Sequence, residues 1–221
     1  MIMGAWGMGG KKAPTAKDYV QDGLIAMWDG IENAGWGVHD ATATVWKDLS
    51  GTNDATITSG APWSWTTNSF ASATRTRYRV VAETDIGGVT PVVGEICYKE
   101  FIREAVYSFV ARMQGVQVLA LGNKICIGQG FPMFDGIAVG AHSVSINWSA
   151  PSLYDNSVQV STTSGSDYWM TQDRLLQIGY FNNTNYPFWG EIYCIRLYSR
   201  ALTASEIAAN YAVDKERFNL P

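Results

Sequence analysis

The side chains able to do chemistry are few in this 221-residue chain, and their spacing limits what they can do. Glycoside hydrolysis needs two carboxylates flanking the scissile bond, and acids two positions apart on a strand share one face. Glu83-Thr84-Asp85 is the only Glu-x-Asp, and Ile86, Gly87, Gly88 and Val89 follow it where a further acidic partner would be needed. The stretch from Glu95 to Glu104 has Lys99 and Arg103 interleaved and no Asp, so it reads as a charged strand edge or loop. The two histidines, His39 and His142, lie in no His-x-x-x-His or His-Cys arrangement that would favour zinc. His142 falls on the apolar face of its strand and is expected to be packed and hydrogen-bonded. There is no Gly-x-Ser-x-Gly elbow and no phosphate-binding Gly loop. No catalytic residue is assigned, and the expectation is a protein that binds and does not catalyse. A glycoside hydrolase with displaced carboxylates is the enzymatic alternative.

Asp48-Leu-Ser-Gly-Thr-Asn-Asp54 supplies hard oxygen ligands in a turn, making Asp48, Asn53 and Asp54 candidate calcium ligands. It lacks EF-hand spacing, and Asx-rich turns also form for backbone reasons alone. No other cofactor is expected. The aromatics point further. Trp28 and Trp46 lie inside strand patterns and are assigned to the core, whereas Trp36, Trp63, Trp65, Trp169, Tyr186 and Trp189 fall beside Gly, Pro, Ser, Asn or Asp, where loops are expected. A flat ring stacks on the apolar face of a pyranose while Asn and Asp bond its hydroxyls. The same rings would equally serve to cover the rim of a sandwich. The connection from Leu24–Trp28 to Val45–Leu49 is longer than a hairpin requires and carries Trp36, His39 and Asp40. Asn182, Asn183, Asn185 and Tyr186 precede the last strand, in a loop that could approach this connection if the terminal strands pair. The candidate ligand site is therefore Trp36, His39, Asp40, Asn183, Asn185 and Tyr186.

The elements that position these residues follow from composition and period. Nine Trp, 11 Tyr and 8 Phe with only 16% charged residues is a β-sheet composition. A net charge of −4 gives no broad positive field, so nucleic acid is not an expected partner. Cys97, Cys126 and Cys194 sit among apolar neighbours without a Cys-x-x-Cys pair and read as buried free thiols. No run approaches the roughly 18 apolar residues that span a bilayer. Met1 to Lys12 has its lysines last, the reverse of a secretory signal, so cytoplasmic synthesis without visible export is expected.

Residues 1 to about 20 read as a Gly-rich, weakly ordered arm, detachable to about residue 17. From residue 21 onward short apolar or alternating runs recur: Leu24–Trp28, Val45–Leu49, Ala55–Thr58, Tyr78–Val81, Ala105–Met113, Val116–Leu121, Ile137–Trp148, Val158–Ser161, Arg174–Ile178 and Ile192–Tyr198. His142, Val144, Ile146 and Trp148 share one face while Ser143, Ser145 and Asn147 take the other. Thr203-Ala-Ser-Glu206 is a capping box, with Leu202 and Ile207 at hydrophobic-staple spacing. It predicts a helix from Ala204 to about Arg217 that lays Ile207, Ala208 and Tyr211 on the sandwich, with Phe218 just beyond it as a further contact.

The closing stretch, Phe188-Trp-Gly-Glu-Ile-Tyr-Cys-Ile-Arg-Leu-Tyr-Ser-Arg-Ala-Leu-Thr-Ala-Ser-Glu-Ile207, resembles the last strand and short helix of laminin G-like, concanavalin A-like domains. Leu175-Leu-Gln-Ile-Gly179, Gly23-Leu-Ile-Ala-Met-Trp28 and Val45 to Ile57 are similar to other strands of that family. The resemblance implies an all-β jelly-roll sandwich of two antiparallel sheets with a short C-terminal helix. It is poorly specific for function, since the superfamily includes lectins, adhesion domains, glucanases and virus surface proteins. The expected role is a recognition module for a glycan or cell-surface polysaccharide, used in surface attachment or adhesion. The Gly-rich arm also resembles laminin G-like proteins encoded by bacteriophages and gut bacteria. A virion decoration protein, meeting capsid or tail proteins through that arm, is the alternative, and no membrane partner is expected.

Overall fold

The computed structural model describes residues 12–60, 63–72, 82–86, 91–103, 107–113, 116–122, 124–126, 133–150, 152–164, 175–178 and 188–221, with some of the strand residues as backbone alone. In chain order the strands are β1 (Leu24–Asp29), β2 (Val45–Trp46), β3 (Ala55–Ile57), β4 (Trp63–Trp65), β5 (Phe70–Ser72), β6 (Ala82–Asp85), β7 (Val93–Glu100), β8 (Tyr107–Met113) and β9 (Val116–Gly122). They continue as β10 (Lys124–Cys126), β11 (Met133–Asp135), β12 (Ala141–Asn147), β13 (Ser152–Asp155), β14 (Val158–Val160), β15 (Thr162–Ser164), β16 (Leu175–Ile178) and β17 (Gly190–Tyr198). Among the described residues there is one α-helix, α1 (Ala204–Phe218), after β17, and a 3-10 turn at Ala16–Asp18 precedes β1.

The strands form two antiparallel sheets. One runs β14-β13-β12-β7-β17-β5-β4, with β1 also on β17; the other runs β15-β11-β10-β9-β8-β16-β6-β3-β2. β17 shares its free edge between two neighbours, pairing Glu191 and Ile192 with β5 and its C-terminal half with β1. Between the sheets lies an apolar core containing Trp28, Trp46, Ile96, Val144, Ile146 and Trp148. The alternation read for β12 is the one observed, with Ser143 and Ser145 on the opposite face. The Tyr78–Val81 run lies outside the described residues.

Several elements differ from the sequence reading. Trp63 and Trp65, expected in loops, form β4, and both rings pack on Phe70 across a hairpin closed by Thr66 N donating to Ser69 O. Glu95 to Glu104 was expected at an edge or in a loop, but its first half lies in β7, between β12 and β17 at the centre of its sheet. The chain from Thr15 does not trail as an arm, because Ala16 and Tyr19 are buried against Met27, Tyr193 and Phe218. Residues 1–11 lie outside the described residues.

The reason for the second and third differences is the same. The outer face of the first sheet is covered by α1 and the 3-10 turn, so β7 and β17 are buried on both faces. α1 starts as its capping box requires: Thr203 Oγ1 accepts from Glu206 N and Glu206 Oε2 accepts from Thr203 N. Leu202 and Ile207 meet in one cluster with Val93 and Tyr198. Ile207 and Phe218 are buried and Tyr211 is partly buried, as expected, whereas Ala208 is exposed and Asn210 and Asp214 are buried in addition.

Asn210 and Asp214 belong to a charged network sealed beneath α1. Arg196 of β17 donates to both oxygens of Asp214, at 2.8 and 2.7 Å, and through Nε to Glu95 Oε2 at 2.9 Å. Asp214 also accepts from Tyr19 and Ser143 hydroxyls, and Asn210 Nδ2 donates to Glu95. A second knot ties Arg217 to Asp29 and Glu32. Buried charges persist only when paired and hydrogen-bonded in this way.

The two knots hold four carboxylates against two guanidinium groups, and burial pushes the Asp29 and Glu95 carboxyls above their ordinary values of 3.8 and 4.5, against the pull of Arg217 and Arg196. A carboxyl raised in the folded state binds its proton more tightly there. Its contribution is therefore fully present below the unfolded value and is lost as pH rises through the folded one. Glu206 has the opposite sign: hydrogen bonds from Arg200, then the Thr203 amide, hold it at about 2. Its contribution is lost as pH falls from 4.5 towards 2. Acidification from neutrality is therefore expected to raise the thermal midpoint through Asp29 and Glu95, and acidification below pH 4.5 to lower it through Glu206. Glu95→Gln should flatten the first limb; a midpoint falling monotonically from neutrality would show that the network does not take up protons.

Close approach explains two glycines in the central strands. A Cβ on Gly94 would overlap the Trp148 indole, and one on Gly190 would overlap the Lys99 carbonyl on β7. Gly190→Ala is expected to cost about 1–3 kcal/mol in urea titration, since backbone cannot step aside as a flexible side chain can. A loss under roughly 0.5 kcal/mol, the size of a surface change, would count against that packing.

Candidate functional site

The β1–β2 connection is built from its base upward. Asp29, fully buried at the end of β1, accepts from Ile31 N and Glu32 N and from Arg217, so the chain turns directly out of the strand. The Trp46 indole donates to Asp29 O and the Trp65 indole to Ala43 O, fixing both ends of the connection to the core. Asn33, also fully buried, donates to Asp40 O and accepts from Asp40 N, closing the loop across its middle.

Trp36 stands at the tip. Val38 N donates to Gly35 O at 2.9 Å, and Gly37 has φ +69°, the left-handed position a type II turn fills with glycine. Gly35 has φ +130°, and a Cβ on either glycine would meet nothing within 4 Å, so both serve backbone conformation and not packing. Glu32 anchors the tip, Oε2 accepting from Gly37 N while Oε1 accepts from Ala16 N and Arg217. The ring is held out 40% exposed on a rigid support.

Beside it the 3-10 turn contributes cations. Lys17 Nζ lies 5.2 Å from the Trp36 ring centre. A cleft of about 290 Å³ is lined by Lys12, Thr15, Lys17, Glu32, Trp36 and Gly37. Lys12, Thr15 and Lys17 also wall a second hollow of about 490 Å³ that continues toward Ala212, Val213 and Glu216 of α1. The two together are of small-ligand size. The Glu32 carboxylate is engaged by three donors and the Thr15 hydroxyl donates to Asp18 and accepts from Lys17 N, so the polar groups that the first cleft offers a ligand are its two ammonium groups.

The other candidate residues are less well placed. His39 is exposed, and its Nδ1 lies 3.2 Å from both Gly30 O and Ile31 O, so one ring nitrogen is spent on the loop. The Asp40 carboxylate accepts from the Thr42 hydroxyl and amide, bonds that hold its pKa below the usual range. Asn183, Asn185 and Tyr186 lie outside the described residues, as does Trp169. Lys12, Thr15, Lys17 and Glu32 were not among the candidate site residues read from the sequence; the first three fell in the supposed arm.

The calcium candidates serve the backbone. Asp48 Oδ1 accepts from Met27 N, Ser50 N and Ser50 Oγ, Oδ2 accepts from Asn53 N and Nδ2, and Asp54 accepts from Asp48 N. A carboxylate ringed by N–H groups does not fit a cation. Among the described residues, no group of three or more His, Cys, Asp or Glu side chains is placed to hold a metal. Glu83 and Asp85 are exposed on β6, but Glu83 faces Thr56 on one side and Gln177 on the other, and Asp85 faces Leu175. Gln177 Nε2 donates to Glu83 at 3.1 Å. No second carboxylate occupies those register positions. His142 is packed near Tyr98 and bonded to Asp155 at 2.9 Å.

Two antiparallel sheets with a helix over one face define a β-sandwich. No family model and no curated protein sequence matches the chain. Among solved structures, Trypanosoma rangeli sialidase superposes with a TM-score of 0.59 over 90% of this chain and 33% of the sialidase, at 14% identity. The same sialidase in complex with sialic acid gives 0.56 over 91% and 34%, at 15% identity. The botulinum neurotoxin serotype D binding domain gives 0.62 over 87% of this chain and 52% of that one, at 14% identity. The chain thus spans about a third of the sialidase and about half of the toxin domain, and the likeness is one of fold. Among the described residues, no helix is long and apolar enough to cross a membrane.

Proposed function

We propose that this protein is a non-catalytic glycan-recognition module that takes acidic sugars at the Trp36 cleft, in the service of surface attachment. The observation that carries the reading is an exposed indole fixed on a two-glycine tip beside Lys12 and Lys17. The indole offers a flat apolar surface to the C–H face of a pyranose. The ammonium groups stand where a ring carboxylate or sulfate would meet them. Fold likeness to a sialidase studied with sialic acid supports carbohydrate as the ligand class. The hydrolase alternative gains nothing from the register around Glu83, and the virion alternative would run through residues 1–11.

Calorimetric titration with sialyllactose against lactose, and with a galacturonate oligomer against its neutral counterpart, tests the reading. Binding of the acidic member of either pair, weakening with salt, is the expected result. Lys17→Gln should reduce affinity about 10- to 100-fold, the weight of one hydrogen bond to a charged group. Equal binding of acidic and neutral members would refute the charge requirement, and no binding of any of the four would refute the site.

A further inference from the structure

Cys97 and Cys194, well separated in sequence, are direct partners in the register between β7 and β17. Opposed Cα atoms in an antiparallel pair lie about 4.5 or 5.5 Å apart depending on the hydrogen-bonding position. Both separations fall inside the roughly 4.4–6.8 Å that a disulfide spans. The two side chains also share a face. Each belongs to the cluster of Tyr19, Met27, Tyr193 and Phe218 under α1, whereas Ile96 and Ile195 beside them point into the core between the sheets. The register shifts between Ile192 and Cys194, so Tyr193 and Cys194 together oppose Cys97. Both thiols are free in the folded protein.

We propose that Cys97 and Cys194 are a cross-strand disulfide site, oxidised while the sheet assembles and before α1 docks over it. The oxidant is a small-molecule disulfide of the glutathione kind. One cysteine gives up its proton, and its thiolate attacks a sulfur of that disulfide. The small molecule's S–S bond breaks, one small thiol leaves, and a mixed disulfide remains on the protein. The second cysteine, deprotonated in turn, attacks the protein sulfur of the mixed disulfide and expels the other small thiol. The balance is two protein S–H groups oxidised to one S–S bond and one small disulfide reduced to two thiols.

The timing follows from burial. With α1 in place Cys97 is fully buried and Cys194 nearly so. Burial pushes both thiols well above their ordinary range, leaving neither a thiolate nor a path for an oxidant. With α1 lifted the surroundings reverse. Arg196 Nη1 lies 3.4 Å from Cys194 Sγ, and its countercharge Asp214 departs with the helix. A guanidinium freed of one carboxylate beside a newly wetted thiol favours the thiolate. Docking of α1 then shields the finished bond from reductant.

The test refolds the full chain from denaturant in a redox buffer of reduced and oxidised glutathione, followed by denaturation, alkylation and peptide mass mapping. A linked peptide pair carrying Cys97 and Cys194, with Cys126 alkylated, is the expected result. Folded reduced protein held in the same buffer should keep both thiols. The oxidised form should melt about 10 °C higher than the reduced form, because the bridge closes a long loop, and Cys97→Ala should abolish the difference. Production in an oxidising secretory compartment provides a second route to the same map. Full alkylation of both thiols by both routes, or a bridge to Cys126, would overturn the site. Equally fast oxidation of the folded protein would overturn the order of events.

Discussion

Asp214→Ala is expected to lower the unfolding free energy by about 3–5 kcal/mol, the cost of leaving a buried charge without its partner. The Arg196 side chain is 1% exposed and Asp214 wholly buried, so water cannot replace the lost carboxylate. Glu95 remains on Nε, but the guanidinium edge that made two bonds to Asp214 faces an empty space. The hydroxyls of Tyr19 and Ser143 lose their acceptor in the same step, at about 1 kcal/mol each if left unmade. Asp214→Asn keeps the shape but not the charge and should fall between. A urea midpoint that drops at constant slope would report stability alone. A change within about 0.5 kcal/mol, typical of a surface site, would mean that α1 is dispensable to the network. Replacing Arg196, Glu95 and Asp214 together by apolar residues of similar volume should cost far less than the single change, because no orphaned charge remains.

Trp36→Ala is expected to abolish binding of acidic glycans while leaving the thermal midpoint nearly unchanged. The ring is exposed, and the conformation of the tip depends on Gly35, Gly37 and the Glu32 carboxylate, none of which the substitution touches. Loss of a stacking ring removes about 1 kcal/mol or more from a contact that has few others, enough to take a weak site below detection. Trp46→Ala is the contrast: that ring is fully buried among Trp65 and Phe70, and its loss should cost about 3–5 kcal/mol. Early unfolding of Trp36→Ala would make the ring part of the core. A folded variant that still binds would move the site elsewhere, with Tyr186 the next ring to remove.

What the sequence made legible was whatever depended on local period and local capping. β12 shows strict alternation because one of its faces meets the core and the other carries serines. The Thr203–Glu206 box is a contact between residues three apart, so it needs no knowledge of the fold. β7 was misread because Glu95, Cys97 and Lys99 alternate with Ile96 and Tyr98 as in a solvent-facing strand. Only the later arrival of Arg196 and Asn210 buries Glu95. Asn210 and Asp214 were left off the buried face of α1 for the same reason, since they read as polar surface until their partners are known. The Trp36 loop was visible through its length and its glycines. Its cations were not, because Lys12 and Lys17 lie in a stretch whose order depends on Ala16 and Tyr19 finding their pockets. The β4–β5 hairpin was hidden by strands only three residues long.

The network under α1 also dictates when the molecule can be finished. Tyr19 and Asp214 meet across 195 residues of chain, and β1 finds its place only on β17. A nascent chain therefore leaves the ribosome with β1 unpaired for most of its synthesis, and β17 emerges with Arg196 and Glu95 still open to water. Such non-local closure is slow compared with helix or hairpin formation, and an open sheet edge during that interval invites pairing with other chains. Synthesis that stops short of Asp214 would yield a product with its charges uncapped. For such a product, chaperone capture or proteolysis is the expected fate.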